Sequence, residues 1–127
     1  MTKQEKTILV IDDDASITSI LDLILSQNGY RVITATSTAG FYQVMQKNPK
    51  IDIALVDVKL KEASGLTILK ELMSINPLIK VLMMTGYSID TLIKNIYDLG
   101  AFGILYKPFD MERVLSIITD ISSKSAS

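Results

Sequence analysis

Ile8-Leu9-Val10-Ile11-Asp12-Asp13-Asp14 sets four consecutive aliphatic residues against three carboxylates. A short unbroken apolar run fits a strand buried on both faces, as in a parallel sheet covered by helices. Three further runs end as abruptly. Ile53-Ala54-Leu55-Val56 stops at Asp57, Val81-Leu82-Met83-Met84 at Thr85, and Ile104-Leu105-Tyr106 at Lys107-Pro108. If the four are neighbouring parallel strands, their polar ends share one edge of a sheet.

The segments between these runs have helical period. Strand one is read as 7–12 and a first helix as 15–27, with Ile17, Ile20, Leu21 and Ile24 as the stripe laid on the sheet. Asn28-Gly29 closes it, and strand two follows at 30–35. Ser37 or Thr38 caps a second helix that buries Phe41, Val44 and Met45 and stops at Asn48-Pro49. Strand three is 51–57, and Gly65 leads into a third helix with Leu66, Leu69, Leu72 and Met73 inward. Strand four is 79–84, helix four is 88–99 with Ile89, Leu92, Ile93 and Ile96 on one face, and strand five is 102–106. Asp110 caps a fifth helix with Met111, Val114, Leu115, Ile118 and Ile121 inside.

Strict alternation of five strands and five helices predicts an α/β fold, a doubly wound five-stranded parallel sheet of flavodoxin-like (βα)5 type. Right-handed crossovers favour the strand order 2-1-3-4-5, with sites at the carboxyl ends of the strands beside the switch between strands one and three. Asp12, Asp13 and Asp57 fall there.

At 127 residues the chain is expected to be one domain, with its core at 7–121 and 122–127 as a flexible tail or the start of a linker. A net charge of −1 gives no sequence-independent pull toward nucleic acid or anionic lipid, so no direct contact with either is expected. There is no cysteine and no histidine, hence no thiol nucleophile and no imidazole base. Any phosphoryl group must come from outside the chain. Met1-Thr2-Lys3-Gln4-Glu5-Lys6 has no signal-peptide stretch and no apolar run is long enough to span a bilayer, so a cytoplasmic location is expected.

Two carboxylates about 4 Å apart repel by roughly 4 kcal/mol at an effective dielectric near 20. A hard divalent cation relieves that repulsion, and an oxygen-rich strand edge suits Mg²⁺. A carboxylate that attacks a phosphoryl group also needs its charge offset. Lys107 can supply a second cation, the Thr85 hydroxyl can hydrogen-bond a phosphoryl oxygen, and Gly86 can leave room for it. Each residue has a plainer reading. Asp14 caps the first helix, Thr85 is a strand-end hydroxyl, Lys107 is a solvated charge, and Gly65 serves backbone geometry. Their coincidence at the ends of strands one, three, four and five favours the chemical reading.

These residues are also where the chain resembles the receiver domain of bacterial two-component response regulators, of the chemotaxis-regulator-like kind, over residues 7 to about 121. Asp12-Asp13 follows the first strand, and Asp57 ends the third with Gly65 eight residues on. Thr85-Gly86 ends the fourth, and Lys107-Pro108-Phe109 begins twenty-two residues after Thr85. The resemblance implies that Asp57 accepts a phosphoryl group from a phosphohistidine on a sensor histidine kinase or histidine phosphotransfer protein. Mg²⁺ would be held by Asp13 and Asp57, by Asp12 partly through water, and by the backbone carbonyl of Lys59. Thr85 and Lys107 would grip the phosphoryl oxygens, and Lys107-Pro108 would be cis. The only chemistry implied is self-directed phosphoryl transfer and autodephosphorylation. Output would be read on the helix four–strand five–helix five face, including Lys94, Tyr97, Asp98, Glu112, Arg113 and Ser116, by a downstream protein or a second copy, with Ile117 as an apolar hint of such a contact.

The chain departs from the family pattern in places. Ile104 occupies the switch position where Tyr or Phe is usual, and Tyr106 is no substitute because it lies nearer the pocket mouth. Lys61 replaces a frequent proline, so a more mobile loop is expected. Lys59 and Tyr87 are expected to flank the mouth and slow loss of the acyl phosphate by obstructing water. Ile104 keeps open a receiver-like interaction module without phosphorylation. A phosphatase of the haloacid dehalogenase type would want an acid where Lys59 stands. A flavin or nucleotide site would want a Gly/Ser/Thr-rich loop where Asp12-Asp13-Asp14 stands.

Overall fold

Alternate residues of each central strand enter opposite layers of the core, which is why the runs read as continuously apolar. In the computed structural model, which describes residues 5–86 and 90–125, β1 (Thr7–Ile11), β2 (Arg31–Ala35), β3 (Ile53–Asp57), β4 (Lys80–Thr85) and β5 (Gly103–Tyr106) form the sheet. All pairings are parallel, in the order β2-β1-β3-β4-β5 expected from the sequence. The helices are α1 (Ala15–Gln27), α2 (Thr38–Gln46), α3 (Gly65–Ile75), α4 (Asp90–Asp98) and α5 (Met111–Ser125). Leu9, Ile11, Ala54, Val56, Val81 and Met83 join one core layer, with residues of α2, α3 and α4. Ile8, Val10, Ile53, Leu55, Leu82 and Met84 join the other, with residues of α1 and α5.

Local chemistry fixes the helix starts. Asp14, Ser37 and Ser64 each accept a backbone N–H in the first turn of α1, α2 and α3, from Ser16, Gly40 and Leu66 respectively. Asp110 does the same for α5 through Glu112. Gly29 and Gly100 take positive φ after α1 and α4, the left-handed geometry that glycine adopts at little cost.

Several expectations need correction. The buried positions of α1 are Thr18, Leu21 and Leu25, while Ile20 is exposed. The helix is turned relative to the stripe read from the sequence because Thr18 can bury, its hydroxyl donating to the Ala15 carbonyl. Ile68 joins Leu69 and Leu72 as a fully buried residue of α3. Helix α5 continues through Ser125, so residues 122–125 are helical where a tail was expected. Ile117 is half-buried against the second core layer, which accounts for it without a partner. Ile89 and the expected start of helix four at 88 lie outside the described residues.

The loop from β3 to α3, which carries Lys61, is packed and hydrogen-bonded at both ends. Val58 and Leu60 are buried, Leu60 N–H donates to Ala63 O, and Gly65 N–H donates to Val58 O at 2.7 Å. Burying one leucine side chain contributes about 2 kcal/mol. That anchor holds the loop without proline. No helix among the described residues is long and apolar enough to cross a membrane.

Candidate functional site

Asp57 closes β3 in the same row as Ile53 and Leu55, whose side chains enter the α1–α5 layer. Asp12 directly follows β1, and the two strands are paired neighbours. The topology therefore brings these carboxylates together before any side chain chooses a rotamer. Carboxylate oxygens of Asp12, Asp13 and Asp57 all lie within 4.8 Å of one another. Asp12 is fully buried, Asp57 nearly so, and Asp13 half-buried.

Lys107 reaches this group from the end of β5. Its Nζ lies 2.7 Å from Asp12 Oδ2 and 3.3 Å from Asp57 Oδ2. The Lys107-Pro108 bond is cis, as expected. Lys107 N–H donates to the Thr85 carbonyl at 2.6 Å, tying the ends of β4 and β5 together. Thr85 is buried at the same edge. Thus Asp12, Asp13 and Asp57 gather at one point and Lys107 pairs with Asp12 and Asp57, with Thr85 at the adjoining strand end.

The electrostatics follow from burial. Desolvation, reinforced by the Asp12 carboxylate, pushes Asp57 up to about 6, while Lys107 and the Lys59 N–H oppose the rise. Burial disfavours the charge of Lys107, but pairing with Asp12 and Asp57 outweighs it and holds that ammonium above its ordinary value. Asp12 Oδ2 is buried, and the Lys107 ammonium 2.7 Å away is its partner. Three carboxylates crowded within 4.8 Å, with one ammonium beside them, fit a hard divalent cation.

Other residues have plainer places. Asp14 is the N-cap of α1, and its carboxyl is held below the usual range by the Ser16 hydroxyl and N–H. Lys59 has an exposed side chain, and its N–H donates to Asp57 Oδ1 at 3.3 Å. Gly86 is not sterically required, since a β-carbon there would meet only Lys107 Cβ at 3.9 Å. Tyr106 is half exposed, and Ile104 is half-buried against the α2–α3–α4 layer. Lys94, Tyr97, Asp98, Glu112, Arg113 and Ser116 are all exposed. Tyr87 lies outside the described residues. Sequence reasoning missed the strength of the Asp12–Lys107 contact. Spacing carries no signal for it, because the relative burial of Asp12 and Asp57 is set by packing.

Comparison with known proteins agrees with this geometry. The family model described as the response regulator receiver domain matches residues 8–119. The transcriptional regulatory protein ZraR of Klebsiella oxytoca is 37% identical over 116 residues, which is 90% of this chain and 26% of that protein. The chain thus spans about a quarter of that relative's length. A CheY-like receiver domain protein from Methanospirillum hungatei superposes with a TM-score of 0.88 at 27% identity, covering 97% of this chain and 98% of the other. A response regulator from Burkholderia pseudomallei, solved with a phosphorylated aspartic acid, a calcium ion and citrate, gives 0.82 at 28% identity, covering 96% and 72%. With a match over nearly its whole length and the matching fold, this chain belongs to the response regulator receiver domains of two-component systems.

Proposed function

We propose that the chain takes a phosphoryl group onto Asp57 and so switches a protein-binding surface. One observation carries the reading: the Asp57 carboxylate lies within 4.8 Å of two other carboxylates while facing Lys107 Nζ at 3.3 Å. A fold gains no stability from crowding three acids, and the set suits a divalent cation that, with Lys107, would offset the charge of Asp57 as a phosphoryl group approaches.

The donor is a phosphohistidine on a sensor histidine kinase or histidine phosphotransfer protein, since this chain has no histidine of its own. An Asp57 oxygen attacks phosphorus, the P–N bond breaks, and its electron pair returns to the donor imidazole. The product is an acyl phosphate. In the reverse sense of signalling, water attacks phosphorus, the P–O bond to Asp57 breaks, and the carboxylate is regained with inorganic phosphate.

Burial raises the Asp57 carboxyl, and Mg²⁺ together with Lys107 would favour its ionised, attacking form. Lys107, positioned by Asp12, neutralises charge on the incoming oxygens, and the Thr85 hydroxyl donates to one of them. Asp13 and Asp57, Asp12 partly through water, and the Lys59 carbonyl would hold Mg²⁺, which offsets the charge of acceptor and phosphoryl group together. Phosphorylation replaces a single negative charge by a group near −2. That change biases the loops after β3 and β4, and the α4–β5–α5 face reports it to a downstream protein or a second copy. The reading places the chain in the cytoplasm. The Burkholderia regulator with its phosphorylated aspartic acid and bound calcium ion supports it.

Incubation with acetyl phosphate or phosphoramidate and Mg²⁺, followed by intact mass, tests this. Wild type should gain one phosphoryl group and Asp57→Asn none. An unmodified wild type, or a variant modified to the same extent, would refute it.

A further inference from the structure

A groove of about 930 Å³ lies between β2 and α2, and none of Asp12, Asp13, Asp57, Thr85 or Lys107 lines it. Its strand side is an open sheet edge. Among the described residues, strand β2 pairs with β1 alone. Arg31 N–H donates to the Lys6 carbonyl, and the Ala35 carbonyl accepts from Asp12 N–H. Backbone groups alternate sides along a strand, so Arg31, Ile33 and Ala35 face β1 while Val32 and Thr34 turn their N–H and C=O outward. Such an edge is a template for another strand.

The groove's chemistry narrows what the strand would be. Ile33 and Val44 give it a half-buried apolar floor, while Arg31, Lys47 and Lys50 stand exposed around it. Strand β2 and helix α2 are joined by a short turn and run in opposite directions. The three cations therefore gather where β2 begins and α2 ends. No acidic residue lines the groove, and none of the three has a salt-bridge partner among the described residues. A local charge of +3 on a chain whose net charge is −1 is a concentration of one sign.

The geometry points to this groove as a second docking surface, taking an extended segment of a partner protein as a sixth strand on β2. The segment is acidic at one end, to meet Arg31, Lys47 and Lys50, and apolar where it crosses Ile33 and Val44. Main-chain bonds to Val32 and Thr34 supply affinity and the charges supply selection. The surface is independent of the phosphoryl chemistry at Asp57.

The test titrates the ¹⁵N-labelled chain with a blocked peptide joining three glutamates to an alternating valine–threonine stretch. Hydrogen exchange at the Val32 and Thr34 amides should slow on binding. Simultaneous Arg31→Glu, Lys47→Glu and Lys50→Glu should weaken the peptide by about tenfold or more. Thr34→Pro provides a second variant, since it removes an outward N–H that an edge strand can lose without unfolding, and it should also weaken the peptide. Failure to bind would overturn the proposal, as would equal binding of a peptide with lysines for glutamates. So would binding that leaves the Val32 and Thr34 amides unprotected, because that is simple anion attraction.

Discussion

The α-carbon of Gly65 packs against the main chain of Asp57 so closely that a β-carbon there would overlap the Asp57 carbonyl oxygen. The obstructing atoms are backbone, which cannot swing aside. The first turn of α3 is therefore seated directly on the peptide unit of Asp57, with Gly65 N–H donating to Val58 O. Gly65→Ala should destabilise the fold by about 1–3 kcal/mol, the usual cost of forcing atoms into a packed site. It should also slow phosphoryl uptake by moving Asp57. Urea unfolding and the rate of labelling by acetyl phosphate check both.

The raised pKa of Asp57 gives a pH dependence with a definite sign. Between its ordinary 3.8 and about 6, the folded protein holds a proton that the unfolded chain has released. Stability from this group is full below 3.8 and is lost as pH rises to about 6. Asp57→Asn removes that loss. In EDTA its Tm should exceed wild type at about pH 8, and the gap should shrink toward about pH 4. Adding Mg²⁺ should raise wild type more than the variant. Equal melting of the two proteins at alkaline pH would contradict the burial argument.

Lys107 is the counter-charge of the fully buried Asp12 carboxylate as well as a neighbour of Asp57. Lys107→Met should cost about 2–3 kcal/mol, below the cost of breaking a fully buried pair because the lysine is 23% exposed. Adding Asp12→Asn should recover much of that stability, while phosphoryl uptake stays lost in both variants. A double-mutant cycle in urea measures the coupling.

Much of this was legible in the chain. The strand order followed from right-handed crossovers in a strict alternation, and the ends of β1, β3 and β4 from their buried runs, because a strand covered on both faces leaves little room for a charged residue until it ends. Asp14 as a cap was readable from its place before a helical period. The rotation of α1 was not, since threonine at 18 hides its burial by satisfying its hydroxyl locally. Nor was the anchoring by Leu60, which sits in a loop with no period to reveal it. Which carboxylate Lys107 prefers depends on relative burial, a property of packing rather than spacing.

Lys59 places an exposed side chain two residues beyond Asp57. Lys59→Ala leaves its backbone carbonyl in place, so uptake should be retained while the phosphorylated form decays severalfold faster, as water gains access. Timing phosphate release from both labelled proteins decides it. Equal lifetimes would assign Lys59 to the solvent.

The most direct measurement is chemical localisation of the label. Protein treated with acetyl phosphate and Mg²⁺ is reduced with borohydride, which converts an acyl-phosphorylated aspartate to homoserine, and its peptides are then sequenced by mass spectrometry. The account predicts homoserine at position 57 and at no other aspartate. Homoserine at Asp12 or Asp13 with position 57 unchanged, or none anywhere in folded protein, would contradict it.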